Sequence, residues 1–426
     1  MLDIKRIRDD ADGVRAGLEA KGQDPTVVDE VLALDKERRS YLTETETLKG
    51  RRNKASKEIG RLKRSGADTS TIESEMREVG EKISQLDEKV REIGERLSAL
   101  MLSIPNVPHS STPVGRDESA NRVVKSWGEP REWPFQPRDH VELGESLGIL
   151  DFPRATRLSA AGFPLLVGLG SRLQRALIQF MLDVHIKEHG YTEVWPPVLC
   201  NTDAMTGTGQ LPKMAEDMYR MDEEDLYLAP TAEVPVTNIF REEIIEKPLP
   251  VYLTAYSACF RREAGAAGKE TRGLIRVHQF DKVEMVKFVE PEKSYSELES
   301  LLGNAEDILQ RLELPYRVLE LCSGDLSFAA AKCYDIELWA PGYNGWLEVS
   351  SCSNFEDFQA RRASIRYRTH DGKVAFVHTL NGSGVALPRL MVALIENGQQ
   401  EDGSVLLPEA IVPYMGGVRL ISPSGW

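Results

Sequence analysis

Two long stretches near the N-terminus have the hydrophobic spacing of a coiled coil. Between residues 72 and 100, apolar residues recur at alternating steps of four and three without interruption, which is the pattern of a coiled-coil seam. A looser repeat runs from residue 34 to 62, and residues 65–68 have the composition of a turn. The pattern predicts an antiparallel hairpin of long helices. A helix of about forty residues extends roughly 55 Å, so we expect the hairpin to project from the rest of the protein.

The remainder of the chain separates into a proline-rich segment and a larger mixed domain. Six prolines fall between residues 105 and 137, a density that excludes continuous helix and is typical of a linker. After residue 138, strand-like and helix-like stretches follow one another without a regular βαβ alternation, which predicts an α+β domain with a largely antiparallel sheet. We therefore expect a helical arm over residues 1–105, a linker over 106–137 and an α+β domain over 138–426.

The most informative part of this domain is a predicted strand, a glycine-rich loop that ends at Arg272, and a second predicted strand. Because side chains alternate along a strand, Arg261 and Glu263 should share one face of the first strand. Phe280 and Glu284 would stand about 13 Å apart on the second strand, which suits an elongated ligand with a ring at one end and an amine at the other. The residues expected on one face of the second strand are Arg276, His278, Phe280 and Glu284.

Each residue type on this predicted surface has a ligand chemistry and an ordinary structural role. Arginine can bind a phosphate through two hydrogen bonds, a carboxylate can bind an ammonium group, and an aromatic ring can stack on a purine. An isolated phenylalanine in a strand is more often a core residue, and an isolated Arg–Glu pair is usually a surface ion pair of little energetic value. We interpret His278 as a loop anchor rather than a general base. The chain has no GxxxxGK[ST] sequence, so a P-loop is not indicated.

Charge is distributed unevenly, and this changes what the net charge implies. A formal net charge of −14 argues by itself against a nucleic-acid partner, since phosphate contacts need a positive surface. Residues 49–64, however, contain eight cations and one anion. A dimerisation rod with solvated charges is the alternative, but solvated helix faces usually mix both signs, so a polyanion-binding surface is favoured. The candidate cations are Lys49, Arg51, Arg52, Lys54, Lys57, Arg61, Lys63 and Arg64.

Composition indicates a folded protein that does not enter a membrane. Hydrophobic residues make up 41% of the chain and charged residues 28%, close to the average for globular proteins. The sequence contains no uninterrupted run of about 20 apolar residues, and its N-terminus lacks the apolar region and cleavage site of a secretion signal. We expect a cytoplasmic protein. The five cysteines have no CxxC spacing, so buried thiols are favoured over a disulfide framework or a zinc site.

Several segments together resemble one family of enzymes. Residues 260–263 (Phe-Arg-Arg-Glu) with Phe280 resemble motif 2 of the class II aminoacyl-tRNA synthetases, and residues 382–389 (Gly-Ser-Gly-Val-Ala-Leu-Pro-Arg) resemble motif 3. The basic arm narrows the resemblance to the bacterial-type seryl-tRNA synthetases. Four further segments support it, namely residues 206–213, 230–235, 350–362 and 378–383. The resemblance covers nearly the whole chain and implies an antiparallel class II sheet flanked by helices, with a long antiparallel coiled-coil arm at the N-terminus.

This resemblance implies a reaction and a set of partners. ATP and L-serine would give seryl-adenylate and pyrophosphate, with Mg²⁺ accompanying ATP. The seryl group would then pass to the 3′ end of tRNA(Ser), and to that of tRNA(Sec) where it is present. The basic arm would bind the long variable arm of the tRNA rather than its anticodon. The family also implies a homodimer, with motif 1 at residues 190–197 in the subunit interface.

The resemblance further implies roles for individual residues. Arg261 would bind the α-phosphate, Arg389 would bind the γ-phosphate, and Phe280 would stack on the adenine. Glu348 and Ser351 would bind Mg²⁺. The implied catalytic residues are Arg261, Arg389 and Glu348. The implied ATP-binding positions are Arg261, Arg262, Glu263, Val277, Phe280, Glu348, Val349, Ser350, Ser351 and Arg389. The implied serine-binding positions are Thr231, Ala232, Glu233, Arg261, Glu284, Asn381 and Ser383.

Two local details bear on these positions. Strict strand alternation would place Ser350, and not Ser351, on the same face as Glu348, so we expect a β-bulge there. Pro388 stands where the family often has glycine before the motif 3 arginine. A proline is tolerated in the first turn of a helix because the backbone N–H groups there have no partner within the helix.

Two other functions stay open at the level of the sequence. A paralogue that transfers an activated amino acid to a carrier protein would resemble the catalytic domain but lack the long arm, which is present here. A non-catalytic RNA-binding or scaffold protein would have lost parts of the ATP site. The ATP-site residues that are in place are Arg261, Glu263, Phe280, Glu348 and Arg389. The lack of a Cys/His cluster also argues against the metal-bound serine pocket of the divergent archaeal form.

Overall fold

The computed structural model describes residues 1–264 and 272–423. The chain divides into two compact units: Met1–Glu19 with Gln23–Pro105, and Ala20–Gly22 with Asn106–Trp426. Most of the glycine-rich loop predicted before Arg272 lies outside the described residues.

The first unit is built on a helical hairpin. Its helices are α1 (Ile4–Asp9), α2 (Ala11–Ala20), α3 (Val27–Arg64) and α4 (Ser70–Ser103). The seam residues of α4, among them Val79, Ile83 and Leu86, are buried, as the steps of four and three predicted. Ion pairs between the two long helices, such as Lys49 with Asp87 and Lys63 with Glu73, run in the order of an antiparallel pair. The predicted hairpin is therefore confirmed.

The second unit is organised around an eight-stranded sheet with the order β1-β9-β10-β11-β14-β8-β7-β2. Every neighbouring pair in this sheet is antiparallel except β2 and β7, which are parallel. The prediction of a largely antiparallel sheet is confirmed. The strands of this unit are β1 (Arg122–Trp127), β2 (Thr192–Glu193), β3 (Leu199–Cys200), β4 (Arg220–Met221), β5 (Leu226–Leu228), β6 (Ile244–Ile245), β7 (Val251–Phe260), β8 (Gln279–Val289), β9 (Tyr316–Glu320), β10 (Lys332–Ala340), β11 (Gly345–Asn354), β12 (Arg366–Arg368), β13 (Val374–Phe376), β14 (His378–Ala386), β15 (Val405–Leu406) and β16 (Leu420–Ile421).

Helices cover the large sheet with their apolar faces. α10 packs against β14, α12 against β10, and α7 against β7. The buried residues of α10 include Leu298, Leu301 and Leu302, and this spacing of three and four is that of an amphipathic helix. The helices of this unit are α5 (His140–Ser146), α6 (Phe152–Leu158), α7 (Leu169–Lys187), α8 (Thr202–Thr208), α9 (Glu233–Thr237), α10 (Ser294–Arg311), α11 (Phe358–Ala363) and α12 (Leu387–Gly398).

The starts of the helices near the central strands follow from local sequence. Asp139 caps α5 by accepting hydrogen bonds from the backbone N–H groups of residues 141 and 142, and Asn201 caps α8 in the same way through Ala204 N. Pro388 is the second residue of α12, a position that needs no N–H donor. The expectation that proline is tolerated at this helix start is confirmed.

β7 ends at Phe260 and β8 begins at Gln279, so neither strand includes the residues that the sequence placed next to the glycine-rich loop. Just beyond the last residues of the two strands, one further hydrogen bond joins Arg261 N to His278 O at 2.9 Å. Beyond it the chain leaves the sheet, because Arg262 N bonds instead to Asp217 O and Glu263 has a positive φ of 50°. Strand alternation therefore does not decide where the side chains beyond the strand ends point. The predicted strand placement is wrong for Arg261, Glu263, Arg276 and His278.

β10 and β11 pair around a one-residue bulge. Ile336 pairs with Ser350, but the next residue of β10, Glu337, pairs with Glu348. Val349 is thus the extra residue of β11, and it reverses the phase of side-chain alternation along that strand. The bulge expected between Glu348 and Ser351 is confirmed.

The cysteines are buried thiols, as their spacing predicted. All five cysteines are buried and free. Burial raises the pKa of Cys200 to about 11 and that of Cys352 to about 12, which keeps both thiols protonated at neutral pH. In the described part of the chain no helix is long and apolar enough to cross a membrane.

Candidate active site

A cavity of about 500 Å³ lies where β7, β8, β11 and β14 meet the ends of α8 and α12. Its wall consists of segments that are distant in the sequence, and it includes predicted catalytic, ATP-binding, serine-binding and metal-binding residues. The predicted site residues that line the cavity are Thr231, Glu233, Arg261, Glu263, Val277, Phe280, Glu348, Val349, Ser351, Asn381, Ser383 and Arg389.

Two arginines line the cavity. Arg261 Nε donates to Pro230 O at 3.3 Å, and its guanidinium lies 5.1 Å from the centre of the Phe280 ring. Arg389 Nε donates to Ile275 O at 3.0 Å, and Arg389 Nη1 donates to Glu348 O at 2.8 Å. Backbone carbonyls therefore orient both guanidinium groups, which are permanently charged and match the geometry of phosphate oxygens.

The buried end of the cavity contains a network of polar groups around Glu284. This carboxylate is fully buried and accepts hydrogen bonds from Thr231 Oγ1 at 3.0 Å and Asn381 Nδ2 at 2.9 Å. Lys282 forms an ion pair with it and donates to Thr231 Oγ1 at 2.7 Å. Glu284 lies behind the cavity wall, where it fixes Thr231 and Asn381, both of which line the cavity.

Glu233 is a second buried carboxyl group at this end. Burial, followed by the neighbouring charge of Glu284, raises the pKa of Glu233 to about 7. Gln359 Nε2 donates to Glu233 Oε1 at 2.7 Å, and Gln359 is itself fixed by Thr379 Oγ1 at 2.8 Å. Two carboxyl groups, one lysine and several hydroxyl groups in a small space can bind the ammonium and hydroxyl groups of a small amino acid.

The bulged strand β11 brings a carboxylate and a hydroxyl group to the other side of the cavity. Glu348 and Ser351 both line it, and Ser351 Oγ lies 3.1 Å from Cys333 Sγ. Behind Ser351, burial first and the charge of Glu348 second raise the pKa of Asp335. Across the described ranges, no three His, Cys, Asp or Glu side chains converge as a metal-binding cluster.

Some predicted site residues do not line the cavity. Arg262 is exposed and donates from Nη1 to Glu216 O at 3.2 Å. Ala232 is buried in a hydrophobic cluster. Ser350 Oγ donates to Ser383 O at 2.6 Å, because the bulge turns Ser350 away from the cavity. Together with Glu284, these residues surround the site rather than form its surface.

His278 has the contacts of a loop anchor. His278 Nδ1 lies 3.0 Å from Arg261 O, and its backbone N–H donates to Gly162 O at 2.8 Å. Its ring stacks on Phe163 with the centroids 5.3 Å apart. These contacts support the anchoring interpretation over a general base.

Sequence reasoning missed Lys282 and Gln359. Lys282 lies between Phe280 and Glu284 on the same face of β8, so alternation alone would have placed it in the site. Gln359 carried no such signal, because its contact with Glu233 joins two helices that are distant in the sequence. The end of α8, at Thr208 and Gly209, also lines the cavity.

The predicted cations of the first unit lie along α3, and all of them are exposed except Lys49, which is half-buried. Three of them are in ion pairs with carboxylates of α4: Lys49 with Asp87, Arg51 with Glu75, and Lys63 with Glu73. Among the residues that the structure describes, the other predicted cations form no ion pair. These are Arg52, Lys54, Lys57, Arg61 and Arg64.

The fold and the site together define a class of protein. An antiparallel sheet flanked by helices, with two arginines, an aromatic ring and buried carboxyl groups around one cavity, corresponds to a class II aminoacyl-tRNA synthetase. Residues 216–398 match the family model described as tRNA synthetase class II core domain (G, H, P, S and T). Residues 1–108 match the model described as Seryl-tRNA synthetase N-terminal domain.

Similarity extends over the full length of known relatives. A serine–tRNA ligase of Carboxydothermus hydrogenoformans is 56% identical over 422 residues, 99% of each chain. One from Caldanaerobacter subterraneus is 58% identical over 417 residues, 97% of this chain and 98% of the other. A crystal structure of seryl-tRNA synthetase from Pyrococcus horikoshii complexed with ATP superposes with a TM-score of 0.93 at 40% identity and covers 100% of both chains. The chain belongs to the seryl-tRNA synthetase family.

Proposed function

We propose that this chain activates L-serine with ATP to form seryl-adenylate and transfers the seryl group to the 3′ end of tRNA(Ser). The observation that carries this proposal is the set of side chains that line the cavity described above. Two arginines and an aromatic ring lie on its nucleotide side, and two buried carboxyl groups with hydroxyl and amide groups lie at its buried end. These groups match the chemistry of an amino acid and a nucleoside triphosphate bound side by side.

ATP would be held mainly by Arg261, Arg389 and Phe280. Arg261 would bind the α-phosphate, and Phe280, whose ring already lies next to the Arg261 guanidinium, would stack on the adenine. Arg389 would bind the γ-phosphate. Glu263, which is paired with Arg276 in the wall, and Val277 would border the adenine.

L-serine would occupy the buried end of the cavity. Its ammonium group would be bound by Glu233 together with Thr231, and its hydroxyl group would be bound near Asn381 and Ser383. Alanine would leave these buried polar groups without partners, a loss that reaches about 10⁴-fold in sites of this kind. Threonine would have to be excluded by the limited space.

The residues around β11 fit Mg²⁺. This ion usually binds proteins through one or two carboxylate or hydroxyl groups and takes its remaining ligands from water and substrate phosphates. Glu348 and Ser351 would hold it, and its charge would neutralise the phosphate oxygens during the reaction. A two-residue donor set agrees with the lack of a larger metal-binding cluster among the described residues.

The reaction needs no nucleophilic side chain. The serine carboxylate attacks the α-phosphorus and pyrophosphate leaves. A hydroxyl group of the terminal adenosine of the tRNA then attacks the carbonyl carbon, and AMP leaves. The protein contributes by aligning the reactants and by neutralising charge with Arg261 and Arg389. This division of roles agrees with a site that is rich in arginine and glutamate.

We further propose a division of labour along the chain. Residues 1–105 would bind the variable arm of the tRNA, and residues 138–426 would carry out catalysis. Residues 106–137 would connect these two parts of the chain and would contribute β1 to the sheet. The exposed cations of α3 support the first assignment. A homodimer, a cytoplasmic location and charging of tRNA(Sec) with serine also belong to the proposal. Trp195, in the motif 1 segment, is 89% exposed and is a suitable contact for a second subunit.

The test is amino-acid-dependent exchange of pyrophosphate into ATP, followed by tRNA charging. Exchange should occur with serine and be negligible with alanine, glycine and threonine. The intact protein should charge tRNA(Ser) and tRNA(Sec), but not a tRNA without a long variable arm. Exchange without charging of any tRNA would favour an enzyme that serves a carrier protein. No exchange with serine and Mg²⁺ would reject the enzymatic proposal and favour an RNA-binding scaffold.

A further inference from the structure

Helix α12 is connected at two points to the part of the cavity wall that precedes β8 in the sequence. At the start of the helix, Arg389 Nε donates to Ile275 O at 3.0 Å. Two turns further along, Glu396 is connected to the same part of the wall through His140. We call residues 274–277 the wall segment, since all four of them line the cavity.

His140 links Glu396 to the wall segment through both nitrogens of its ring. Nδ1 lies 3.1 Å from Glu396 Oε1, and Leu274 N–H donates to Nε2 at 3.1 Å. A backbone N–H can only donate, so Nε2 must be the unprotonated nitrogen of the ring. Nδ1 then carries the proton and donates a hydrogen bond to the Glu396 carboxylate. The two partners thus determine which tautomer His140 adopts.

Glu396 is placed to hold this histidine rather than to interact with solvent. It is fully buried, and its Oε1 also accepts from His140 N at 2.9 Å. Its Oε2 accepts from Gly342 N at 2.9 Å and from Tyr343 N at 3.0 Å. Burying a carboxylate is costly unless its oxygens are fully hydrogen-bonded. Here the four donors satisfy it and at the same time fix its orientation toward His140.

Two glycines permit the close approach that these bonds require. Gly273 has a positive φ of 67°, and a Cβ atom there would lie 2.2 Å from His140 Nε2. At Gly342 a Cβ atom would lie 2.2 Å from Arg138 O. A side chain at either position would separate His140 or Glu396 from its partners.

We propose that His140, oriented by Glu396, is a positioning residue of the nucleotide site. It holds Leu274 N–H and thereby keeps the wall segment, including the carbonyl that orients Arg389, in the geometry that ATP requires. Neither His140 nor Glu396 lines the cavity, so both act through the wall segment. This inference rests on the proposed function, because it assigns the wall segment to ATP.

Two amide substitutions separate the two bonds of His140. In His140→Gln, the side-chain amide reaches the place of Nε2, and its oxygen can still accept from Leu274 N–H. In His140→Asn, the shorter amide reaches the place of Nδ1 and can still donate to Glu396, but Leu274 N–H loses its acceptor. Each variant keeps one of the two bonds, so we expect similar unfolding temperatures.

The two variants should differ in their use of ATP. We expect His140→Asn to lower kcat/KM for ATP in serine-dependent exchange by about ten- to a hundredfold, since small displacements in a reacting site have effects of this size. His140→Gln should stay much closer to the wild type, and KM for serine should be nearly unchanged in both. Equal losses in the two variants, or a loss shared by KM for serine, would overturn the proposal.

A matched control is His189→Asn. His189 also pairs with a carboxylate, Asp307, at 3.0 Å, but it lies outside the cavity wall and should leave KM for ATP unchanged.

A binding measurement keeps the inference separate from the proposed function. An ATP analogue that cannot react is titrated into wild type and both variants by calorimetry. Weaker binding to His140→Asn than to His140→Gln supports the positioning role, and equal binding rejects it. If the wild-type protein shows no serine-dependent exchange, the proposed function fails, while this titration still decides the role of His140.

Discussion

Glu348 and Ser351 both line the cavity although they are three positions apart on β11. In a regular strand such residues face opposite sides of the sheet. The bulge at Val349 brings the Glu348 carboxylate and the Ser351 hydroxyl group to the same side. Glu348 Oε2 lies 3.5 Å from Arg389 Nη1. This local irregularity places both proposed Mg²⁺ ligands on one side of the sheet.

Removing the charge of Glu348 should weaken Mg²⁺ binding. In Glu348→Gln we expect the Mg²⁺ concentration for half-maximal exchange to rise by about tenfold or more, measured by titrating Mg²⁺ at saturating serine and ATP. The matched control is Glu337→Gln, since Glu337 pairs with Glu348 across the strands but bonds to Arg317. An unchanged Mg²⁺ requirement in Glu348→Gln would exclude this carboxylate as a ligand.

Serine binding should depend on pH through Glu233. Burial and the charge of Glu284 raise the pKa of Glu233 to about 7. As the pH falls through about 7 this carboxyl group becomes neutral and loses its attraction for the serine ammonium group, so KM for serine should rise. Exchange is measured from pH 6 to 8. In Glu233→Gln, KM for serine should be roughly ten- to a hundredfold higher, with a flat pH profile. A wild-type profile without this rise would contradict the assignment.

Ionisation of Glu233 should also lower the stability of the folded protein as the pH rises. Its folded pKa of about 7 lies above the ordinary value of 4.5, so the folded state binds the proton more tightly than the unfolded state. Its contribution to stability is therefore complete below about pH 4.5 and is lost as the pH rises through about 7. Relative to wild type, Glu233→Gln should gain unfolding temperature between pH 5 and pH 8. Glu306→Gln is a control, since this buried carboxyl group bonds to Tyr316 away from the cavity. If the unfolding temperatures of wild type and Glu233→Gln change in parallel with pH, the pKa of Glu233 is not raised in the folded protein.

The Phe280 ring should contribute to binding of ATP but not of serine. Stacking on a base is worth about 1–3 kcal/mol, so Phe280→Leu should raise KM for ATP by roughly five- to a hundredfold and leave KM for serine nearly unchanged. The control is Phe376→Leu, because the Phe376 ring also lies next to an arginine, Arg361, at 4.6 Å but outside the cavity. Equal effects of the two substitutions on KM for ATP would argue against stacking.

The cations of α3 that have no ion pair should contribute most to tRNA binding. We expect replacement of Arg52, Lys54, Lys57 and Arg61 by glutamine to weaken tRNA(Ser) binding. The slope of log K against log salt should fall by about 0.7 to 0.9 for each lost phosphate contact. Exchange, which needs no tRNA, should be unaffected. Filter binding of tRNA(Ser) at several salt concentrations measures both the affinity and its salt slope.

A variant with the same change in charge controls for net charge. It replaces Arg77, Lys82, Lys89 and Arg91 of α4 by glutamine and should retain most of the affinity for tRNA(Ser). Similar losses in the two variants would indicate a diffuse electrostatic effect instead of a defined surface.

The sequence by itself determined the features that depend on neighbouring residues. The hairpin followed from the steps of four and three, because a coiled-coil seam repeats within each helix. Tolerance of Pro388 at a helix start followed from its missing N–H. The bulge was expected because the family resemblance implies a shared role for Glu348 and Ser351, which strict strand alternation would place on opposite faces. The motifs around Arg261 and Arg389 were likewise local runs of sequence, so they could be recognised before the structure was known.

Only the tertiary structure decided what depends on partners distant in the sequence. Arg262 lies outside the cavity because its backbone bonds to Asp217 O rather than continuing β7. Lys49 is paired because α4 places Asp87 next to it, so the charge count of one helix overestimated the cations available for tRNA. The contact of Gln359 with Glu233, and that of His140 with Leu274, likewise join segments that become neighbours only in the folded chain. Periodicity describes one element at a time, whereas hydrogen bonds and ion pairs between elements depend on how these elements pack.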